Sequence, residues 1–258
     1  GSGWDTVGDP YGGTIIFKDH SGEIKDIAFR NTNTHDHYVN VMGGNDKGKY
    51  FASFDYYKED GIIVGSDYKR YTANINGSYK IKPKLEVSTG GTFSTASGFG
   101  LLGGDVNTLY RNLSVWPTMN PWLDSAKTLP NPGNGITDGN PLYWLSKNYR
   151  KNEVNRITGN ASVKYDILKG LYIKASGNIY FVEAQNESFT QATQPYTQLY
   201  TNPQGFNTTR PASWSQSKVV QQQYNAIINY TNTLAEKHHI NPMIGVESFA
   251  QRALNVQV

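Results

Sequence analysis

The chain has no cysteine among its 258 residues. Disulfide frameworks, zinc–cysteine sites and thiol catalysis are therefore excluded. Charge is also scarce: charged residues make up 17% of the chain and hydrophobic ones 37%. Soluble enzymes usually carry more of both. Basic residues number 24 and acidic ones 21, giving a net charge of +3. With no basic cluster interleaved with aromatics, a nucleic-acid partner is not indicated. No apolar run reaches the length of a transmembrane helix. A β-barrel is then the one membrane-spanning form open to this sequence. No signal peptide is visible, and the first residue is Gly1 rather than Met.

What fills the chain is Asn, Thr, Ser, Gln and Gly, with 18 Tyr, 10 Phe and 5 Trp. Such an aromatic load, regularly alternating, argues against disorder. The stretch YTANINGSYKIKPKLEVSTGGTFS (71–94) shows the pattern. Tyr71, Ala73, Ile75, Gly77 and Tyr79 share one face, opposite Thr72, Asn74, Asn76 and Ser78. The alternation breaks at 81–84 and resumes with Leu85 and Val87. Period-two segments of this kind predict about eight strands, at 36–43, 49–58, 68–81, 84–95, 153–166, 169–183, 217–232 and 238–250. Pro242 weakens the last of these.

The connections alternate in length. GNDKG, KIKPK, DILKG and NTLAEKH are short; EDGIIVGSD, 96–152 and 184–216 are long. All long connections thus fall at one end of an antiparallel meander, as in outer-membrane barrels with short periplasmic turns and long external loops. Tyr71 and Tyr79 bracket an apolar face of roughly 20 Å at a tilt of about 40–45°. Tyr165 and Tyr230 precede short turns, and Phe93 and Phe181 approach long loops, which fits two aromatic girdles. Both ends of the chain fall on the long-loop side, unlike an intact barrel with an even number of strands. The expectation is a segment from the middle of something larger: 1–34 an extracellular loop, and 35–258 a partial transmembrane β-barrel with extracellular loops at 96–152 and 184–216. Within the first part, DHSGEIKDIAF carries a helix-start pattern at Ser21.

One stretch is distinctive. His37, Gly43, Gly44, Asn45, Lys49 and Tyr50, followed by Gly61, Ile62, Gly65, Ser66, Asp67, Tyr68, Lys69, Arg70 and Tyr71, resemble a motif of the SusC/RagA family of TonB-linked outer-membrane proteins from Bacteroidetes-type bacteria. The stretches 152–177 and 223–252 resemble later strand pairs, so the likeness covers roughly 35–255. It implies an all-β fold: an antiparallel transmembrane β-barrel meander, about eight strands of a 22-stranded type. It also implies transport of oligosaccharides or peptides across the bacterial outer membrane. The implied partners are a SusD-like surface lipoprotein lid, TonB (reached through the N-terminal plug and TonB-box, which this sequence does not contain), and outer-membrane lipid. No cofactor and no metal are implied, and the chain is expected not to be an enzyme. Two further readings stay open: a SusC-like barrel serving as scaffold in a larger envelope complex, and a soluble carbohydrate-binding β-sandwich.

The candidate site residues fall into two groups. Trp116, Trp122, Tyr143, Trp144, Tyr196, Tyr200 and Trp214 lie in or beside the long loops. Their rings suit a small core that a loop this long needs for itself, or contact with a ligand or lid. Asp55, Arg70, Lys164, Asp166 and Lys174 alternate onto the polar face, where they would point into the barrel. His35 and His37, and His238 and His239, lack the further ligands a metal needs and read as polar residues at strand ends.

Overall fold

The computed structural model describes residues 4–8, 10–99, 110, 113, 114, 117–132, 140–192, 209–234 and 237–258. Its body is one antiparallel sheet of eight long strands. In chain order, the elements are β1 (Trp4–Gly8), β2 (Thr14–Lys18), α1 (Ser21–Ala28), β3 (Thr34–Gly44), β4 (Gly48–Asp60), β5 (Asp67–Lys82) and β6 (Leu85–Phe99). They continue with α2 (Pro141–Lys147), β7 (Asn148–Leu168), β8 (Leu171–Thr190), β9 (Ala212–Tyr230), β10 (Asn232–Leu234), β11 (His238–Ile240) and β12 (Met243–Gln257). The sheet order is β12-β9-β8-β7-β6-β5-β4-β3, a plain meander; β1–β2 and β10–β11 are separate hairpins. The helix expected at Ser21 is present as α1.

The turns have local causes. At the first, the Asn45 side-chain oxygen accepts the N–H groups of Lys47 and Gly48, each at 2.9 Å. At the third, Gly170 has φ +82, and a Cβ there would lie 2.1 Å from the carbonyl oxygen of Thr231. The eighth strand differs from expectation. It runs Met243–Gln257, after Pro242, while 238–240 turn back on 232–234 as β11. Proline cannot donate to the ladder, so it marks where the strand begins rather than lying within it.

Cross-strand rows reveal the purpose of the two faces. On the outward face, one row reads Phe93, Ile157, Phe181, Val220 and the next toward the loops reads Thr95, Asn155, Glu183, Lys218. The change from apolar to charged takes one step. Toward the turns, the apolar face continues through Tyr165, Ile173 and Ile228 to Ile167, Leu171 and Tyr230 beside the turns themselves. Ile157–Tyr165, Ile173–Phe181 and Val220–Ile228, the last interrupted on its outward side by Gln222, are nine residues each, close to what a tilted strand needs to cross hydrocarbon. On β5 the stretch is Tyr71–Tyr79, one residue pair further toward the loops, as strand tilt requires. β7 and β8 are 21 and 20 residues long, so about half of each stands beyond the apolar band. This is why the long loops, expected to begin at 96 and 184 and to end at 152 and 216, are shortened by strand on both sides.

Among the described residues nothing covers the apolar band. Ile75 is 65% exposed, Val163 45%, Ile228 44% and Ile173 38%. The buried hydrophobic side chains among the described residues, Ile24, Ala28 and Tyr143, all lie off the sheet. A β-sandwich would bury these strands under a second sheet, and the described residues form no such layer over them; the soluble sandwich reading is set aside. The outward face keeps its order by close fits instead. The Tyr224 ring lies over Gly177, its cross-strand partner, where a Cβ would come within 3.2 Å of the ring. Thr89, a polar residue in this band, donates its hydroxyl to the carbonyl of Asn160 at 3.1 Å.

Glycine substitutions separate these effects. Gly170→Ala combines a left-handed backbone with a backbone clash and is expected to cost about 1–3 kcal/mol. Gly77→Ala meets a single backbone oxygen at 3.5 Å and is expected to be neutral within about 0.5 kcal/mol. Urea titration of the two variants, refolded in lipid vesicles, measures both.

Candidate functional site

The face opposite the apolar band is built of short side chains that bond across the strands. Asn74 Nδ2 donates to Ser53 Oγ at 3.2 Å, and Thr92 Oγ1 donates to Asn74 Oδ1 at 2.7 Å. Further along, Ser176 bonds Asn225, and Gln221 Nε2 donates to Gln251 Oε1 at 2.9 Å. Ser188 and Ser213 meet at 2.7 Å near the outer end. Each such bond contributes about 0.5–1.5 kcal/mol net. Together they form a neutral surface of paired donors and acceptors.

Charge on this face gathers at its two ends. At the loop end Arg70 Nη2 donates to Asp55 Oδ1 at 3.1 Å, with the guanidinium 5.7 Å from the centre of the Tyr57 ring. At the turn end Lys164 pairs with Asp166 at 3.0 Å and stands 4.7 Å from the Tyr172 ring. Lys164 is flanked in register by Glu86 and Lys174. Lys174 has no ion-pair partner among the described residues. Sequence reading missed Arg156, which shares this face with Thr158, Asn160 and Ser162; the same alternation, carried one step further, reaches it.

The loop aromatics divide. Tyr143 is buried on α2, with Lys147 Nζ 5.3 Å from its ring centre. It belongs to a small core beyond the sheet with Ile24 and Ala28 of α1 and Pro121. Asn140, fully buried there, donates to the Pro121 carbonyl at 2.7 Å. Trp122 is half-buried and bridges Pro130. Trp214 lies on β9 opposite Glu187, on the outward face beyond the apolar band rather than on the polar face. Trp144 belongs to α2; its side chain, and all of Trp116, Tyr196 and Tyr200, lie outside the described residues. The rings of His35 and His37 stack at 6.2 Å, and that of His37 stacks on Tyr56 at 6.1 Å. No group of three or more His, Asp or Glu able to hold a metal occurs among the described residues.

The small core is tied down by charge. Glu23 of α1 accepts from Lys127 Nζ at 3.1 Å and lies 3.1 Å from His20 Nδ1. The Lys127 bond holds the Glu23 carboxyl below its ordinary value of 4.5. Arg30 donates to the carbonyls of Gly61 and Ser66, at 3.1 and 2.8 Å, fastening the segment after α1 to the β4–β5 connection.

No family model matches the chain. The TonB-dependent receptor P3 of Formosa agariphila is 28% identical over 147 residues, 52% of this chain and 14% of that protein. Among solved structures, the RagAB peptide transporter superposes with a TM-score of 0.66 at 17% identity, covering 93% of this chain and 27% of the other. The RagAB peptide importer in its open-open state gives a TM-score of 0.69 at 16% identity, over 98% and 27%. The chain thus spans about a quarter of those solved chains. Its fold is that of a stretch of a RagA-type outer-membrane barrel wall, and the likeness to SusC/RagA proteins read from the motifs holds.

The Glu23 contact carries a pH dependence. A carboxyl held below its ordinary value stabilises the docked loop above that value and loses the effect as pH falls through the depressed one. Hydrogen exchange at the Ile24 and Phe29 amides, corrected for intrinsic rates, is expected to quicken as pH falls below the ordinary carboxyl value of 4.5. Glu23→Gln is expected to show the faster exchange already at about pH 7 and to flatten the profile.

Proposed function

We propose that the chain is a wall segment of a TonB-dependent outer-membrane importer of the SusC/RagA kind, taking up peptides or oligosaccharides under a surface lipoprotein lid. The observation that carries this reading is the two-faced sheet. One face has an apolar band that none of the described residues covers, and the other has a hydrogen-bonded polar surface with charge at both ends. An apolar face needs no protein core when acyl chains cover it. A polar face with satisfied side chains suits a wet passage. The solved relatives are described as peptide transporters, which favours peptides among the two substrate classes. The outer loops present Tyr11, Ile62, Leu123 and Leu129 to solvent, apolar surface of the sort a lid covers. TonB would act through other parts of the full-length protein.

Two measurements bear on this. Ala161, midway along the apolar stretch of β7, and Asn160 beside it point to opposite faces. Ala161→Arg is expected to cost about 2–4 kcal/mol and to reduce the folded, outer-membrane-inserted yield of the full-length protein. Asn160→Arg, facing the passage, is expected to leave that yield near wild type. In the producing bacterium, deletion of the gene is expected to abolish growth on either peptide or oligosaccharide as sole source, and the tagged protein to co-purify with a surface lipoprotein. Unchanged growth on both, with envelope machinery co-purifying instead, would favour the scaffold reading.

A further inference from the structure

At the outer end of the polar face lies a cavity of about 500 Å³, walled in part by Asp67, Tyr68, Arg70, Ser94, Asn152 and Arg156. Arg70 stands on β5 opposite Ala96 of β6, and Arg156 stands on β7 opposite Ser94. The two guanidinium groups therefore rise on either side of a floor of small residues, Ser94, Ala96 and Gly98.

Neither group is fully bonded. Arg70 Nη2 is engaged by Asp55, but its Nε is shielded from solvent and has no acceptor. Arg156 has no ion-pair or hydrogen-bond partner among the described residues. Of the two acids nearby, Asp55 is committed to Arg70, and Asp67 accepts the Phe99 N–H at 3.2 Å. Attraction for a solute acts here at hydrogen-bonding range. Arginine supplies a planar fork of donors that matches a carboxylate bidentately, and the small floor leaves room for such a group between the forks.

We propose that Arg70 and Arg156 form a carboxylate-binding subsite at the outer mouth of the passage. The proposal rests on the importer reading and narrows it: the solutes carry a free carboxylate, from an acidic peptide or an acidic sugar. Arg156 supplies the open fork. Arg70, steadied by Asp55 and Tyr57, supplies the second through the exposed part of its guanidinium.

The test uses the full-length protein purified in detergent and two probe pairs: labelled tri-glutamate against amidated tri-glutamine, and labelled oligogalacturonate against neutral oligogalactose. Wild type is expected to prefer the carboxylated member of at least one pair, and which pair identifies the source. Arg156→Gln is expected to weaken that member about tenfold or more while leaving the neutral one unchanged. Arg156→Lys, which keeps the charge but not the fork, is expected to restore only part of it. The subsite is overturned if wild type shows no preference in either pair, or if Arg156→Gln weakens both members equally or neither. Uptake by cells is measured separately. Carboxylate-selective binding without uptake sinks the importer reading and leaves the subsite; uptake without selectivity does the reverse.

Discussion

A strand in hydrocarbon has no water to satisfy its backbone. Every N–H and C=O at that depth must pair with a neighbouring strand, and each one left open costs several kcal/mol. The remainder of this sheet follows from that requirement. The ladder runs unbroken from β12 to β3, with register shifts beside two turns, at Lys80/Lys82 and Asp166/Leu168. Irregular backbone is thus kept at the turn end, where the apolar band gives out. The band itself needs only a continuous ladder and side chains that acyl chains accept. Small and large residues then serve equally well, provided their shapes agree locally, as Gly177 and Tyr224 do.

The same ladder fixes the other face. A slip of one residue between neighbours would send Asn74, Ser53 and Thr92 onto the apolar face and Ile75 and Phe93 onto the polar one. Such a slip is penalised on both sides at once. The cross-strand bonds of the polar face therefore act less as a source of stability than as a second lock on register. They also engage donors and acceptors along the middle of the polar face. The charged groups stand at the ends, where Arg70 and Arg156 keep unspent hydrogen-bonding capacity.

How much of this the sequence disclosed depended on period. Where alternation was clean, as in 71–79 and 157–167, the strands, their faces and the charges on them could be read directly. So could the segregation of loops to one end, because turn length is a local property. The far ends of β7, β8 and β9 were hidden for a physical reason. Beyond the band both faces meet water, the outward side turns to Asn155, Glu183 and Lys218, and the contrast between faces disappears. Strand there is held by pairing alone. Arg156 sits at this boundary and was overlooked with it. The buried contacts of Tyr143, Ile24 and Ala28 join segments far apart in sequence. A ring in a long loop reads the same whether it waits for a partner or already has one within the chain.

The two edges of the sheet bring the argument to its limit. Among the described residues β3 and β12 each have one neighbour, so each leaves an edge of backbone groups unpaired. Val39 and Val41 on β3, and Ile244 and Val246 on β12, put these edges at the depth of the apolar band. An exposed edge in water invites aggregation; in hydrocarbon it is not tolerated at all. Eight strands can close on themselves, but this sheet stays open, with neither edge paired to the other. Its long rows of matched side chains instead suit a wide wall with a passage inside. The membrane-facing chemistry and the open edges thus make one demand: further strands must lie against β3 and β12 before this surface can rest in a bilayer.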